Sequence, residues 1–95
     1  MIITSPVNPN LKFARRVREG KEPESIFVEG YRLCSECLDS GLTIHSAFHT
    51  PEPGTQGKWL IEELERRGCP VYETSAEAFE VVSDTVNPQG IIVIA

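Results

Sequence analysis

The chain has 95 residues, 40% of them apolar, with a formal net charge of −5. That suffices for one domain whose core removes roughly 60–65% of the unfolded chain's surface from water, and it leaves no room for a second. The overall acidity excludes a protein that coats nucleic acid indiscriminately, and three cysteines without framework spacing argue against a disulfide-stapled secreted domain.

Met1-Ile2-Ile3 is followed at once by polar and turn residues, so there is no apolar signal core. No later run approaches the roughly 20 apolar residues of a membrane span. The expected compartment is the cytoplasm. Asn8-Pro9 then marks a helix start, with Asn8 capping the first amides and Pro9 in the first turn, where its missing N–H costs nothing. Gly20 is the expected stop. The helix places Phe13, Ala14 and Val17 on one side and Lys12, Arg15, Arg16 and Arg18 on the other.

That segment is unlike the rest of the chain. Residues 1–21 hold five cations, Lys12, Arg15, Arg16, Arg18 and Lys21, against Glu19 alone, a balance of +4; residues 22–95 hold four cations against thirteen acids, a balance of −9. A polyanion partner is therefore expected to meet one face only. The competing reading is a solvated face with local ion pairs, since Glu19 lies within helical reach of Arg15 and Arg16.

After a polar connector from Lys21 to Ser25, Ile26-Phe27-Val28 reads as a buried strand. Tyr31 to Ser40 reads as a second helix ended by Gly41, and Thr43 to Phe48 as a strand. Residues 50–57 are a loop by composition, and Lys58 to Arg67 a third helix with Leu60, Ile61 and Leu64 on one side and Gly68 at its end. Pro70 to Glu73 is a further strand, Thr74 with Glu77 matches a capping box for a short helix carrying Phe79 and Val82, and Ile91 to Ile94 is an apolar run expected to be covered on both faces. This alternation predicts an α/β fold: a single three-layer α/β/α domain around a small mixed, mostly parallel sheet. The chain stops at Ala95, within or just after its most apolar strand, which reads as a domain with a partner following residue 95.

Three stretches, ITSPVNPNLKFARR at 2–16, SIFVEGYRL at 25–33 and SDTVNPQGIIVIA at 83–95, together resemble the N-terminal substrate-binding domain of the SpoU family of RNA 2′-O-ribose methyltransferases, in the SPOUT superfamily. The resemblance implies a fold similar to the ribosomal proteins that bind kink-turn RNA. It also implies that a knotted catalytic domain, which binds S-adenosylmethionine and forms the enzyme's homodimer, follows this one. On that reading residues 1–95 have no catalytic residue and bind no cofactor or metal. They hold structured rRNA or tRNA, as a monomer when isolated.

The family pattern maps onto Asn8, Pro9, Lys12 and Arg15, Lys21, Glu29 and Gly30, Arg32, and Asn87-Pro88-Gln89-Gly90. With Arg16 added for its charge, the candidate RNA-binding set is Asn8, Lys12, Arg15, Arg16, Lys21, Glu29, Arg32 and Gln89. Tyr31 is a candidate to stack on an unpaired base, and Glu29 to accept from a base amino group or to hold Arg32. Local alternatives stand beside each: Gly30 as a turn, Glu29 pairing nearby, and Asn87-Pro88-Gln89-Gly90 as a turn. The sequence departs from the family at Glu22-Pro23-Glu24, where a further basic residue is usual. This departure favours a rival reading, a protein-interaction module that positions a catalytic domain without touching RNA.

Cys34-Ser35-Glu36-Cys37 with His45 and His49 has the order of a zinc finger, but seven residues separate the pairs where about twelve are usual. Cys34 and Cys37 instead fall at helical spacing with Leu33 and Leu38 and read as small core residues. Trp59 and Phe48 read as core or partner-contact residues.

Overall fold

The structure, a computed structural model, describes residues 2–85 and 90–95. In chain order the elements are β1 (Ile2–Ile3), α1 (Pro9–Arg18), β2 (Phe27–Glu29), α2 (Tyr31–Asp39), β3 (Ser46–His49), α3 (Gly54–Arg66), β4 (Val71–Thr74), α4 (Ala76–Val82) and β5 (Ile91–Ile94). They form one five-stranded mixed sheet in the order β1-β4-β3-β5-β2. β4 pairs in parallel with β1 and β3, while β5 pairs antiparallel with β3 and β2.

Four strands thus point one way and only β5 runs against them. The expected dominance of parallel strands holds for direction but for only half of the pairings, because the reversed strand sits between two others. Its first residue, Ile91, lies beside His49, the last residue of β3. β5 therefore starts at the carboxyl end of its neighbours.

β5 shows most plainly how the sequence makes the core. All four residues are essentially inaccessible, and because side chains alternate along a strand, Ile92 and Ile94 join Leu11, Ala14, Val17, Phe79 and Val82 on the α1/α4 side. Ile91 and Val93 join Cys34, Leu38, Leu60 and Leu64 on the α2/α3 side. An unbroken apolar run is what a strand between two helical layers requires.

Helix boundaries follow local chemistry. Asn8 Oδ1 accepts from the Asn10 amide at 2.9 Å and caps α1. α4 is capped by Ser75, whose Oγ accepts from the Ala78 amide at 3.2 Å. The expected Thr74 cap is one residue early: Thr74 ends β4, pairs with Ile3 and donates its hydroxyl to the His49 carbonyl at 3.3 Å. β1, too short for a periodic pattern, is the strand absent from the sequence reading.

α3 also begins earlier than composition indicates, at Gly54 instead of Lys58. Pro53 stands at its cap, and Gly57 lets the helix close on it, since a Cβ at residue 57 would lie 2.7 Å from the Pro53 Cβ. The strand expected at Thr43–Phe48 occupies Ser46–His49, and Ile26, expected in a buried strand, precedes β2 and is exposed.

Candidate nucleic-acid interface

The registers put the carboxyl ends of β1, β2, β3 and β4 and the start of β5 at one end of the sheet. In open α/β sheets this is the end where connecting loops gather ligands. Three surface clefts open among the loops here. The first, about 410 Å³, is lined by Phe27, Glu29, Gly30, Arg32, Leu33, Asp84 and Thr85. The second, about 510 Å³, includes Glu52 and Glu80, and the third, about 530 Å³, lies between Tyr31 and the start of α3 and includes Glu52. Among the described lining residues only the first has a cation, Arg32, which stands beside the carboxylates of Glu29 and Asp84, so it is the one that can offer a phosphate a counter-charge.

Gly30 shapes that cleft. Its φ of 93° is a conformation that L side chains rarely adopt, and it turns the chain from the end of β2 straight into α2. The Arg32 side chain is then 91% exposed, and among the described residues it makes a long contact of 3.6 Å from Nε to Glu36 Oε1. Tyr31, beside it, sets its ring edge-on to Trp59 with centroids 6.5 Å apart, and Trp59 is 52% exposed. Trp59 is thus a surface aromatic and not part of the core, whereas Phe48 is buried against Tyr72.

The basic helix α1 and its exit carry the other candidate cations. Arg15, Arg16 and Lys21 each have more than half of their side chain exposed, and Lys12 is exposed. The local ion pairs weighed from the sequence are present. Glu19 lies 3.4 Å from Arg15, 3.5 Å from Arg18 and 3.3 Å from Lys21. The Lys21 hydrogen bond, aided by the charge of Arg15, holds the Glu19 carboxyl below the usual carboxylate range.

Glu22 sits 2.8 Å from Arg16 Nε, so the acidic departure in the connector falls on a cation of the candidate set. Five cations against Glu19 and Glu22 leave residues 11–22 at +3. Exposed pairs of this kind contribute only about 0.2–1 kcal/mol, and a phosphate can displace them.

Arg18 departs from the sequence reading. It leaves the basic face and directs its guanidinium to the end of α4, donating to the carbonyls of Val81, Val82 and Ser83 at 3.0, 3.2 and 3.3 Å. Glu29 does not hold Arg32. Its carboxylate accepts from the Asp84 amide at 2.7 Å and from the Ser83 hydroxyl, which is the local pairing considered for it. Asn8 uses its side-chain oxygen as the α1 cap. Gln89, with Asn87 and Pro88, lies outside the described residues.

The structure thus brings Glu29 and Arg32 together at one cleft and Lys12, Arg15, Arg16 and Lys21 along α1 and its exit. It adds Phe27, Leu33, Asp84 and Thr85, whose place at the cleft no periodicity would reveal. The one available signal was the SDT of the third motif.

The zinc-like pattern is dispersed. Cys34 and Cys37 are buried in the α2/α3 layer. Cys34 Sγ lies 3.4 Å from the Val28 carbonyl, and burial pushes its thiol up to about 12. His45 packs on Phe13 with ring centroids 4.8 Å apart, and His49 Nδ1 meets the Thr50 carbonyl at 2.8 Å. Among the described residues no group of three or more His, Cys, Asp or Glu is placed to hold a metal ion.

Comparison with known proteins agrees with this architecture. An rRNA methyltransferase from Sinorhizobium meliloti is 25% identical, with a TM-score of 0.77 over 99% of this chain and 36% of its own. An S-adenosylmethionine-bound structure of an rRNA methyltransferase from the same organism gives 0.76 at 25% identity, over 99% of this chain and 35% of its own. An RNA 2′-O-ribose methyltransferase shares the fold at a TM-score of 0.82 and 22% identity, over 99% of this chain and 36% of its own. The chain thus spans about a third of the length of these structures. No curated protein matches it. The model of the MRM3-like substrate-binding domain matches residues 8–93, and the chain belongs to that family, in keeping with its SpoU resemblance.

Proposed function

We propose that this chain is the RNA-recognition domain of an S-adenosylmethionine-dependent rRNA 2′-O-ribose methyltransferase, holding structured RNA so that one ribose reaches a separate catalytic domain. The observation that carries this is the set of exposed cations on α1 and at the α2 cleft of an otherwise acidic domain. Family membership and the names of the structural neighbours support rRNA as the substrate; tRNA is the alternative within the same class.

Lys12, Arg15, Arg16, Lys21 and Arg32 contact phosphate on this reading, with Asn8 and Gln89 beside them. The clefts among the described residues are solvent-open surface grooves among the loops at the carboxyl end of the sheet. They do not fit an enclosed S-adenosylmethionine site, and the proposal assigns the cofactor, the methyl transfer and the dimer contacts to a catalytic domain following residue 95. The expected setting is cytoplasmic.

Salt titration of binding to labelled rRNA stem-loops tests the reading. With about four of these five contacts formed at once and a slope of about −0.7 per contact, affinity falls roughly 50-fold between 50 and 200 mM salt. The second reading, a positioning module that does not touch RNA, is favoured by the Glu22–Arg16 pair and predicts no salt-dependent RNA binding.

A further inference from the structure

Ser83, Asp84 and Thr85 follow α4, and through Asp84 and Thr85 this segment forms a wall of the first cleft, which Arg32 and Leu33 at the start of α2 also line. They are held from two sides by charged side chains of other elements. From α1, Arg18 donates to the carbonyls of Val81, Val82 and Ser83 with its side chain 20% exposed. A helix end leaves such carbonyls without intrahelical partners, and a guanidinium there makes charge-assisted bonds. From β2, Glu29 receives the Asp84 amide on one oxygen and the Ser83 hydroxyl on the other. The same hydroxyl oxygen lies 3.3 Å from the Thr85 amide. A cation thus holds the carbonyls, an anion holds the amide, and Ser83 is common to both.

We propose that Arg18 and Glu29 are positioning residues for RNA: they build the Ser83–Thr85 wall before RNA arrives, and neither touches the ligand. This rests on the function proposed above and deepens it. It also gives a role to Glu29, one of the two carboxylates, with Asp84, that line this cleft. The negative charge of Glu29 is directed at the wall, where it orders backbone that RNA binding would otherwise have to order. Each residue released from one conformation weakens binding by about tenfold.

Simple electrostatics makes the opposite prediction for Glu29, since removing an anion from an RNA-facing cleft should tighten binding. The test measures affinity for labelled rRNA stem-loops, its salt slope and amide exchange at Asp84. It compares the full chain with Glu29→Ala, Glu29→Gln, Arg18→Met and Arg18→Lys. Glu29→Ala and Arg18→Met are expected to bind about tenfold more weakly, with an unchanged salt slope and faster exchange at Asp84. The Gln and Lys variants, which keep part of the hydrogen bonding and leave the fold least disturbed, should fall between these and the parent.

Tighter binding by Glu29→Gln overturns the proposal in favour of plain repulsion. A slope reduced by about 0.7 in Arg18→Met makes Arg18 a phosphate contact instead. Faster exchange with unchanged affinity separates the wall from the RNA site, and unchanged exchange removes the clamp itself. If the parent chain shows no salt-dependent RNA binding, the functional reading fails with it, and Asp84 exchange still reports whether the clamp holds the wall.

Discussion

Glu22 is the sharpest place to perturb the surface, because it pairs with Arg16 at 2.8 Å and belongs to the acidic Glu22-Pro23-Glu24 connector that follows the basic helix. Glu22→Gln frees one guanidinium, and Glu22→Lys frees it and adds a second cation, raising residues 11–22 from +3 to +5. Each added phosphate contact steepens the salt dependence by about 0.7, which at 0.1 M salt corresponds to roughly fivefold in affinity relative to 1 M. Arg16 already counts among the phosphate contacts, so Glu22→Gln removes only the competition of an exposed pair and is expected to bind rRNA stem-loops up to about fivefold more tightly with an unchanged slope, while Glu22→Lys adds one contact and with it a further gain of about fivefold at 0.1 M salt. Stability should change by less than about 1 kcal/mol, since the pair is exposed. Fluorescence anisotropy across a salt series reads both quantities. Unchanged affinity and slope in Glu22→Lys would refute the reasoning, because an RNA-facing helix cannot ignore a reversed charge on its own ion pair.

The remaining predictions concern the frame behind that surface. Ile92→Ala, at a fully buried site between α1 and α4, should lose about 2–5 kcal/mol in chemical denaturation. Ser75→Ala should lose about 1 kcal/mol by removing the α4 cap, whereas capping by Thr74 would leave it neutral. Cys34 has its thiol pushed up to about 12 by burial from an unfolded value near 9.0. The folded state therefore disfavours the thiolate, so its contribution to stability is full below about pH 9 and is lost as pH rises toward about 12. Alkylation followed by mass spectrometry at mildly alkaline pH should accordingly label the half-exposed Cys69 well before Cys34.

Much of the fold was legible because the elements that matter carry strong local signals. Asn8-Pro9 with Gly20 frames α1, and the apolar run of β5 reports burial on both faces. What was not legible depends on distant pairing. β1 has two residues and exists through its register with Glu73 and Thr74. The direction of β5 is set by its antiparallel registers with β2 and β3, and the early start of α3 needs the Pro53–Gly57 contact.

The candidate surface divides in the same way. Lys12, Arg15, Arg16 and Lys21 could be read from the helix pattern, and the ion pairs at Glu19 from helical spacing. Arg18 could not, since its partners lie more than sixty residues away in the chain. Glu29 could be placed at the strand end but not against Ser83 and Asp84, which lie more than fifty residues away in the chain.

The central claim is that the exposed cations of α1 meet RNA phosphates, and charge reversal at two of them tests it most directly. The Arg15→Glu/Arg16→Glu double variant, titrated with rRNA stem-loops from 50 to 200 mM salt, should bind at least about tenfold more weakly. Its salt slope should be shallower by about 1.4, the loss of two contacts. Its thermal unfolding should stay close to that of the parent, because both side chains lie more than half exposed and away from the buried Leu11, Ala14 and Val17. A folded double variant that binds these RNAs with the parent's affinity and slope would contradict the account and leave α1 as a solvated face.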